Sequence, residues 1–393
     1  MASLDTRSSP AAATYLADAA WRARVEEVRA VATGELVELA RSGVEGRVNR
    51  PLLTAMARHG LLEALFPGAA AGQPSGQVAA TELCCLREGL ASVSTEAETA
   101  LALQGLGTYP VLQSGSDAQR ERWVPAAASG RAVAAFALTE PEAGSDAAAL
   151  TTRAERDGNG WRLTGTKVWI SNAPQADFYT VFARTTAGAR AKGVSAFVVP
   201  ADRAGLGGER LDLLSPHPIG RLDLDGVRVE ADELLGDVDA GFGVAMRTLD
   251  LFRPSVGAFA VGMAQAALDA SVAHVREREA FGGHLADLQS VGHRLAEMAL
   301  RTQAARLMVY QAAAAYDARR DGVSSRSAMA KLYATEAAQY VVDSAVQLHG
   351  ARALQRGHLL EHLYREVRAP RIYEGASEVQ LSIIARDLLR PHP

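Results

Sequence analysis

Asp157-Gly158-Asn159-Gly160-Trp161-Arg162-Leu163-Thr164-Gly165-Thr166-Lys167-Val168-Trp169-Ile170-Ser171 is the stretch in which the chain changes its period. The Asp-Gly-Asn-Gly run is a tight-turn signal, and the residues after it alternate apolar and polar on both sides of Gly165. That pattern predicts a β-hairpin. Phe178–Ala183 and Val194–Val199 read as further strands, and Asp225–Val229 as a shorter one. Between about Val133 and Asp237 no helical run is long enough for a parallel crossover, so a small antiparallel sheet is expected.

On both sides of this segment the period is helical. Leu36, Val37, Leu39 and Ala40 recur at helix spacing, Pro51 can open the next helix, and His59-Gly60 can end it. Longer helices are expected over Gln77–Leu90 and Thr95–Leu112. Gly115-Ser116-Asp117 should cap another that contains Gln119 and Trp123, with Ser129-Gly130 closing the region. Beyond Gly241, periodic runs over Phe242–Glu279, Leu285–Arg320, Ser324–Leu348 and Glu378–Arg390 predict a bundle. The order is helices, sheet, helices, without an internal repeat.

The 393 residues suffice for two or three packed units, and 48% hydrophobic with 22% charged residues is ordinary for a globular protein. A net charge of -4 gives no global attraction to nucleic acid or to an anionic membrane. Cys84 and Cys85 are adjacent, which rules out a normal disulfide framework and suits reduced thiols in the cytoplasm. No targeting segment is evident, and the Ala-rich runs are too short for a bilayer.

His349, His358 and His362 lack the acid that a zinc-type helix motif needs, so no metal is expected. A dinucleotide fingerprint after a strand, a P-loop and a nucleophile elbow are all missing. Four stretches remain. Thr139–Asp146 offers hydroxyls and backbone N–H groups that can follow a flat heterocycle or its phosphates, although a capping turn is the plainer reading. Trp169-Ile170-Ser171 ends a strand with a ring suited to stacking, or with a core Trp. Arg278 after a long helix can pair with a pyrophosphate or stay solvated. Arg371-Ile372-Tyr373-Glu374-Gly375-Ala376-Ser377-Glu378 projects an acid from a turn stripped of bulk.

In these residues, taken in order, the chain resembles the acyl-CoA dehydrogenase family along nearly its whole length. The resemblance rests on Ala137–Asp146, Gly165–Asn172, Arg278–Gly282 with Gln289, and Ile372–Gln380 with Ile383-Ile384-Ala385-Arg386. It implies a mainly α, α+β fold: an N-terminal helical domain (1–133), a middle antiparallel β-sheet domain (134–238) and a C-terminal four-helix bundle (239–393). It also implies FAD between sheet and bundle, and a homotetramer or homodimer. Phe136, Leu138, Thr139, Gly144 and Ser145 would then line the flavin, with Ser145 also near the substrate. Trp169, Ile170 and Ser171 would flank the ring, and Ala376 and Glu378 would lie close by. Arg278, Phe281, Gln289, Gln347, Gly350 and Ala351 would reach the FAD of a neighbouring subunit. Asp250, Arg253, Gly375 and Arg386 would meet an acyl thioester carried by CoA or an acyl carrier protein.

The activity implied is α,β-dehydrogenation to the 2-enoyl thioester, with Glu374 removing the α-proton and flavin N5 taking the β-hydride. An electron-transfer flavoprotein or a similar acceptor would reoxidise the flavin. The chain departs from the family pattern at Ala351 and Ala353, where Gly is usual, at Ala376 and Glu230, and at Phe252, where a polar residue is frequent. Phe252 and a short Pro216–Val229 segment suggest a protein carrier. The rival readings are an oxidase or monooxygenase on the same fold, or a nucleic-acid-binding relative using Arg352, Arg356, Arg365, Arg368 and Arg371.

Overall fold

The computed structural model describes residues 10–69, 71–72, 74 and 78–390; Gln77, an expected helix start, lies outside them. The N-terminal part is helical: α1 (Pro10–Val31), α2 (Val37–Arg41), α3 (Arg50–Arg58), α4 (Leu61–Leu65), α5 (Ala80–Ala91), α6 (Thr95–Ser114) and α7 (Asp117–Ala128). Local chemistry sets their starts. Ser94 Oγ accepts from Ala97 N at the head of α6, and Ser116 and Gln119 form a reciprocal capping box on α7.

The sheet follows: β1 (Ala134–Ala137), β2 (Arg153–Asp157), β3 (Gly160–Ser171), β4 (Phe178–Arg184), β5 (Val194–Pro200), β6 (Leu206–Arg210), β7 (Ile219–Val229) and β8 (Leu234–Leu235). The expected hairpin is β2–β3, closed by the pair Asp157 and Gly160 around Gly158 at φ +62°. The strand order is β6-β7-β3-β2-β4-β5-β8, with β1 beside β4. One expectation needs correction, because the sheet is mixed. β1 runs parallel to β4, from Ala134 opposite Phe178 to Ala137 opposite Val181. The crossover between them is the β2–β3 hairpin, which itself joins the sheet, so no helix is required.

The C-terminal part is α8 (Gly241–Glu277), a two-stranded ribbon of β9 (Glu279–Ala280) and β10 (Gly283–His284), α9 (Gln289–Asp317), α10 (Val323–His349), α11 (Leu359–Glu366) and α12 (Ser377–Leu388). Helix α8 is long and apolar enough to cross a membrane by length and composition. Here it is the central core helix, packed by α5, α9 and α10. Helix α6 packs onto the sheet at Gly107, where a Cβ would come within 2.6 Å of the Ala135 nitrogen, so only glycine permits that approach. Cys84 and Cys85 are free and buried on α5.

Candidate active site

The short segment between α11 and α12 is fixed by charge. The Arg371 guanidinium bonds both Glu336 oxygens of α10 at 2.9 Å, and Ser377 Oγ donates to the same carboxylate at 2.8 Å. Between these braces Glu374 adopts φ +51° and Gly375 φ +95°. A left-handed conformation costs a side-chain-bearing residue about 1–2 kcal/mol and persists only where its surroundings impose it. Here Lys331 Nζ donates to the Gly375 carbonyl at 2.7 Å, and Gln380 Nε2 donates to it at 2.8 Å.

Held in this way, Glu374 has one carboxylate oxygen, Oε2, enclosed by protein and without a hydrogen-bond partner. Its backbone N–H also meets no backbone or side-chain acceptor among the described residues. Burial pushes the Glu374 carboxyl above the usual range, while Arg87 of α5, Arg253 of α8 and Lys331 pull it back down. Two of these cations have carboxylates of their own. Arg87, buried, is paired with buried Glu98 of α6 and donates to Ser255 Oγ at 2.8 Å. Arg253 donates to Asp250 Oδ1 at 3.1 Å. Lys331 is buried to about the same extent as these and has no carboxylate within ion-pair distance among the described residues.

The sheet supplies a second cluster. Lys167 of β3 is fully buried, donating to the Leu138 carbonyl at 3.0 Å and to Glu140 at 2.8 Å. Glu140 also accepts from the Thr151 and Thr152 backbone N–H groups at 2.6 and 2.9 Å. These bonds hold the Glu140 carboxyl down to about 2, whereas burial lowers Lys167 to about 8. The pair pins the Leu138–Glu140 turn to β3, and Val168 N donates to the Thr139 carbonyl at 3.0 Å. Thr139 and Trp169, far apart in sequence, therefore stand side by side.

A β-bulge after Lys167 puts Trp169 at φ +58° and turns its ring outward, 53% exposed, while Ile170 stays buried. Gly144 and Ser145 are exposed, and Phe136 packs on Phe182 with ring centroids 4.9 Å apart. Ser171 leads into Asn172, which lines a cavity of about 300 Å³ with Thr99 and Ala100 of α6. An outward-facing indole next to a polar turn fits a flat, conjugated cofactor.

The remaining expected residues lie elsewhere. Arg278, Phe281, Gln289, Gln347, Gly350 and Ala351 are all exposed, around the C-terminal ends of α8 and α10. His274 and His349 stack there at 4.1 Å, and burial, with the Arg352 and Arg278 charges, holds His274 low. Along α8 this end is roughly 37 Å from Arg253. Within one chain the two groups of residues do not share a site. Arg386 and Glu378 are exposed on α12, and Ala376 is half-buried at its start.

Two details correct the sequence reading. Phe252 is buried beside Gly105 and Tyr109, so it presents nothing to a carrier. Arg365 and Arg371 are tied to Glu361, Glu45 and Glu336, which removes them from any basic face. Sequence reasoning passed over Lys331, Lys167 with Glu140, and Arg87 with Glu98. The signal for Lys331 was available: it shares the buried face of α10 with Ala334, Ala338 and Val341.

Models of the acyl-CoA dehydrogenase N-terminal, middle and C-terminal domains match residues 20–131, 135–227 and 239–389. The chain is 36% identical over 367 residues to the probable acyl-CoA dehydrogenase FadE25 of Mycobacterium tuberculosis, covering 92% of this chain and 94% of that one. Its fold matches butyryl-CoA dehydrogenase from Megasphaera elsdenii with a TM-score of 0.85 and 29% identity, over 93% of this chain and 98% of that one. The prolyl acyl carrier protein oxidase AnaB matches at a TM-score of 0.86 and 26% identity, over 94% of this chain and 99% of that one. With three domain matches in the order in which the helices and the mixed sheet are built, the chain belongs to the acyl-CoA dehydrogenase family, oxidoreductases acting on CH–CH bonds.

Proposed function

We propose that the chain carries out FAD-dependent α,β-dehydrogenation of an acyl thioester, with Glu374 as the base that removes the α-proton. The observation that carries this reading is the enclosed, unpartnered Oε2 of Glu374 on a left-handed backbone held by Lys331 and Gln380. A carboxylate has no stabilising reason to be held there without a donor. An α-proton beside a thioester carbonyl is far less acidic than a carboxylic acid, so the gap must be narrowed from both sides. Burial raises the proton affinity of Glu374. The free Glu374 N–H is a fixed donor for the charge that develops on the thioester oxygen, an effect worth several kcal/mol when preorganised.

FAD, the family's cofactor, supplies the hydride acceptor when bound. Thr139, Gly144, Ser145 and Trp169–Ser171 would hold its ring, and the Arg278 and Gln347–Ala351 end of a second copy would complete the site. Phe252 gives no reason to favour a protein carrier, and the similar proteins include both a butyryl-CoA enzyme and an acyl carrier protein oxidase. An electron-transfer flavoprotein is the acceptor that fits a dehydrogenase.

The test is anaerobic flavin bleaching by butyryl-CoA and by butyryl-acyl carrier protein, in the native enzyme and in Glu374→Gln. Native protein should bleach with at least one of them. The variant should keep its FAD and lose bleaching by at least 10²-fold. A variant that bleaches at the native rate removes Glu374 from the reaction.

A further inference from the structure

We propose that Lys331 is the positioning residue of the active site, its ammonium fixing the peptide that follows Glu374 and serving as the one cation there, among the described residues, with no carboxylate at ion-pair distance. This rests on Glu374 being the base and assigns a second residue to the same site.

The geometry makes the case. Lys331 is on the inner face of α10, fully buried, and its ammonium donates at 2.7 Å to the carbonyl of the residue after Glu374, its one side-chain hydrogen bond among the described residues. The cations that act on Glu374 are Arg87, Arg253 and Lys331. Arg87 from α5 is paired with Glu98 of α6, and Arg253 from α8 is paired with Asp250. Tyr373 lies in the same loop. Glu336 of α10 is engaged by Arg371 and Ser377, and Glu378 is exposed at the start of α12. A buried ammonium is costly unless something compensates it. Here the compensation is a carbonyl and the nearby charges of Glu374, Glu336 and Glu378.

The arrangement has two consequences. Lys331 and Gln380 Nε2 both grip the Gly375 carbonyl, so the left-handed pair at 374 and 375 cannot relax without breaking those bonds. The Lys331 charge also favours ionised Glu374, offsetting the burial that favours the protonated form. The site thus aims an enclosed carboxylate oxygen whose proton affinity burial raises and the nearby cations temper. Burial lowers Lys331 itself to about 8, so its charge is lost as pH rises through that value.

The experiment is the pH dependence of flavin reduction by butyryl-CoA, alongside an infrared titration of the Glu374 carboxyl band, identified by its loss in Glu374→Gln. Native enzyme is compared with Lys331→Met, Lys331→Gln (a donor without charge) and Lys331→Cys aminoethylated with 2-bromoethylamine. The Met and Gln variants should move the Glu374 midpoint up by one pH unit or more and lose a rate change near pH 8. Met should also lower the plateau rate at least tenfold, with FAD content unchanged. The aminoethylated enzyme should return the midpoint toward native. A native midpoint in both Met and Gln variants overturns the proposal, even if the rate falls, because packing alone would then explain the lysine. Should Glu374→Gln keep native bleaching, the base assignment fails instead, and the Lys331 result is read against whichever group the titration finds.

Discussion

A single methyl group at position 375 tests how much of the chemistry depends on one peptide. Gly375 has φ +95°, and a Cβ there would lie 2.4 Å from Gln380 Nε2, one of the two donors that hold its carbonyl. Gly375→Ala therefore strains the backbone by about 1–3 kcal/mol and pushes Gln380 off its acceptor. A shift of the order of 1 Å in the Glu374 carboxylate is enough to slow the reaction about 10²-fold. Stopped-flow reduction by butyryl-CoA should show that loss with FAD content unchanged, and a native rate would show that the peptide has room to spare. At this scale the sequence was partly legible. Glu-Gly next to small residues marked a projecting acid, but nothing local showed that the acid would be enclosed. That depends on Arg87, Arg253 and Lys331, which arrive from α5, α8 and α10.

At the scale of the element, β3 carries two features that alternation alone does not reveal. Strict alternation from Trp161 and Leu163 through Lys167 would have turned Trp169 inward. The bulge after Lys167 reverses the parity, and the indole faces out. The same parity puts Lys167 on the buried face, a signal that was readable. Its partner Glu140 was not, because the contact spans the turn between β1 and β2. Glu140→Gln leaves a fully buried ammonium without its counter-charge and should destabilise the fold by about 3–5 kcal/mol at neutral pH, measured by urea unfolding. The sign of the pH dependence follows from the Glu140 carboxyl being held down to about 2. Its contribution is complete above the ordinary carboxylate value of 4.5 and is lost as pH falls through about 2. The gap between native and variant should therefore close across that acid range; a constant gap would mean that packing, not charge, holds the turn.

The candidate site residues of the whole molecule fall in two groups, and the helices set the distance between them. Arg253 and Lys331 stand beside Glu374, while the far ends of the same two helices, α8 and α10, present Arg278 and Gln347–Ala351 to solvent. The separations are roughly 37 Å along α8 and 27 Å along α10. Rigid helices cannot fold these residues back onto their own Glu374. Phe281, at φ +57°, is likewise an aromatic left 91% exposed by the described residues. The order of helices and sheet was legible from the change of period, but this separation was not, since it follows from helix length and direction. If the far end completes the cofactor site of a second copy, two inactive chains should rescue each other. Glu374→Gln keeps a native far end, and Arg278→Ala keeps a native base. Co-expressed under different tags and purified as the mixed oligomer, they should form one site with native Glu374 and a native partner Arg278. Butyryl-CoA should then bleach up to about half of the flavin at the native rate, at FAD concentrations where Arg278→Ala alone loses its cofactor. If Arg278 served only its own chain, each site in the mixture would keep one lesion, and no activity would return.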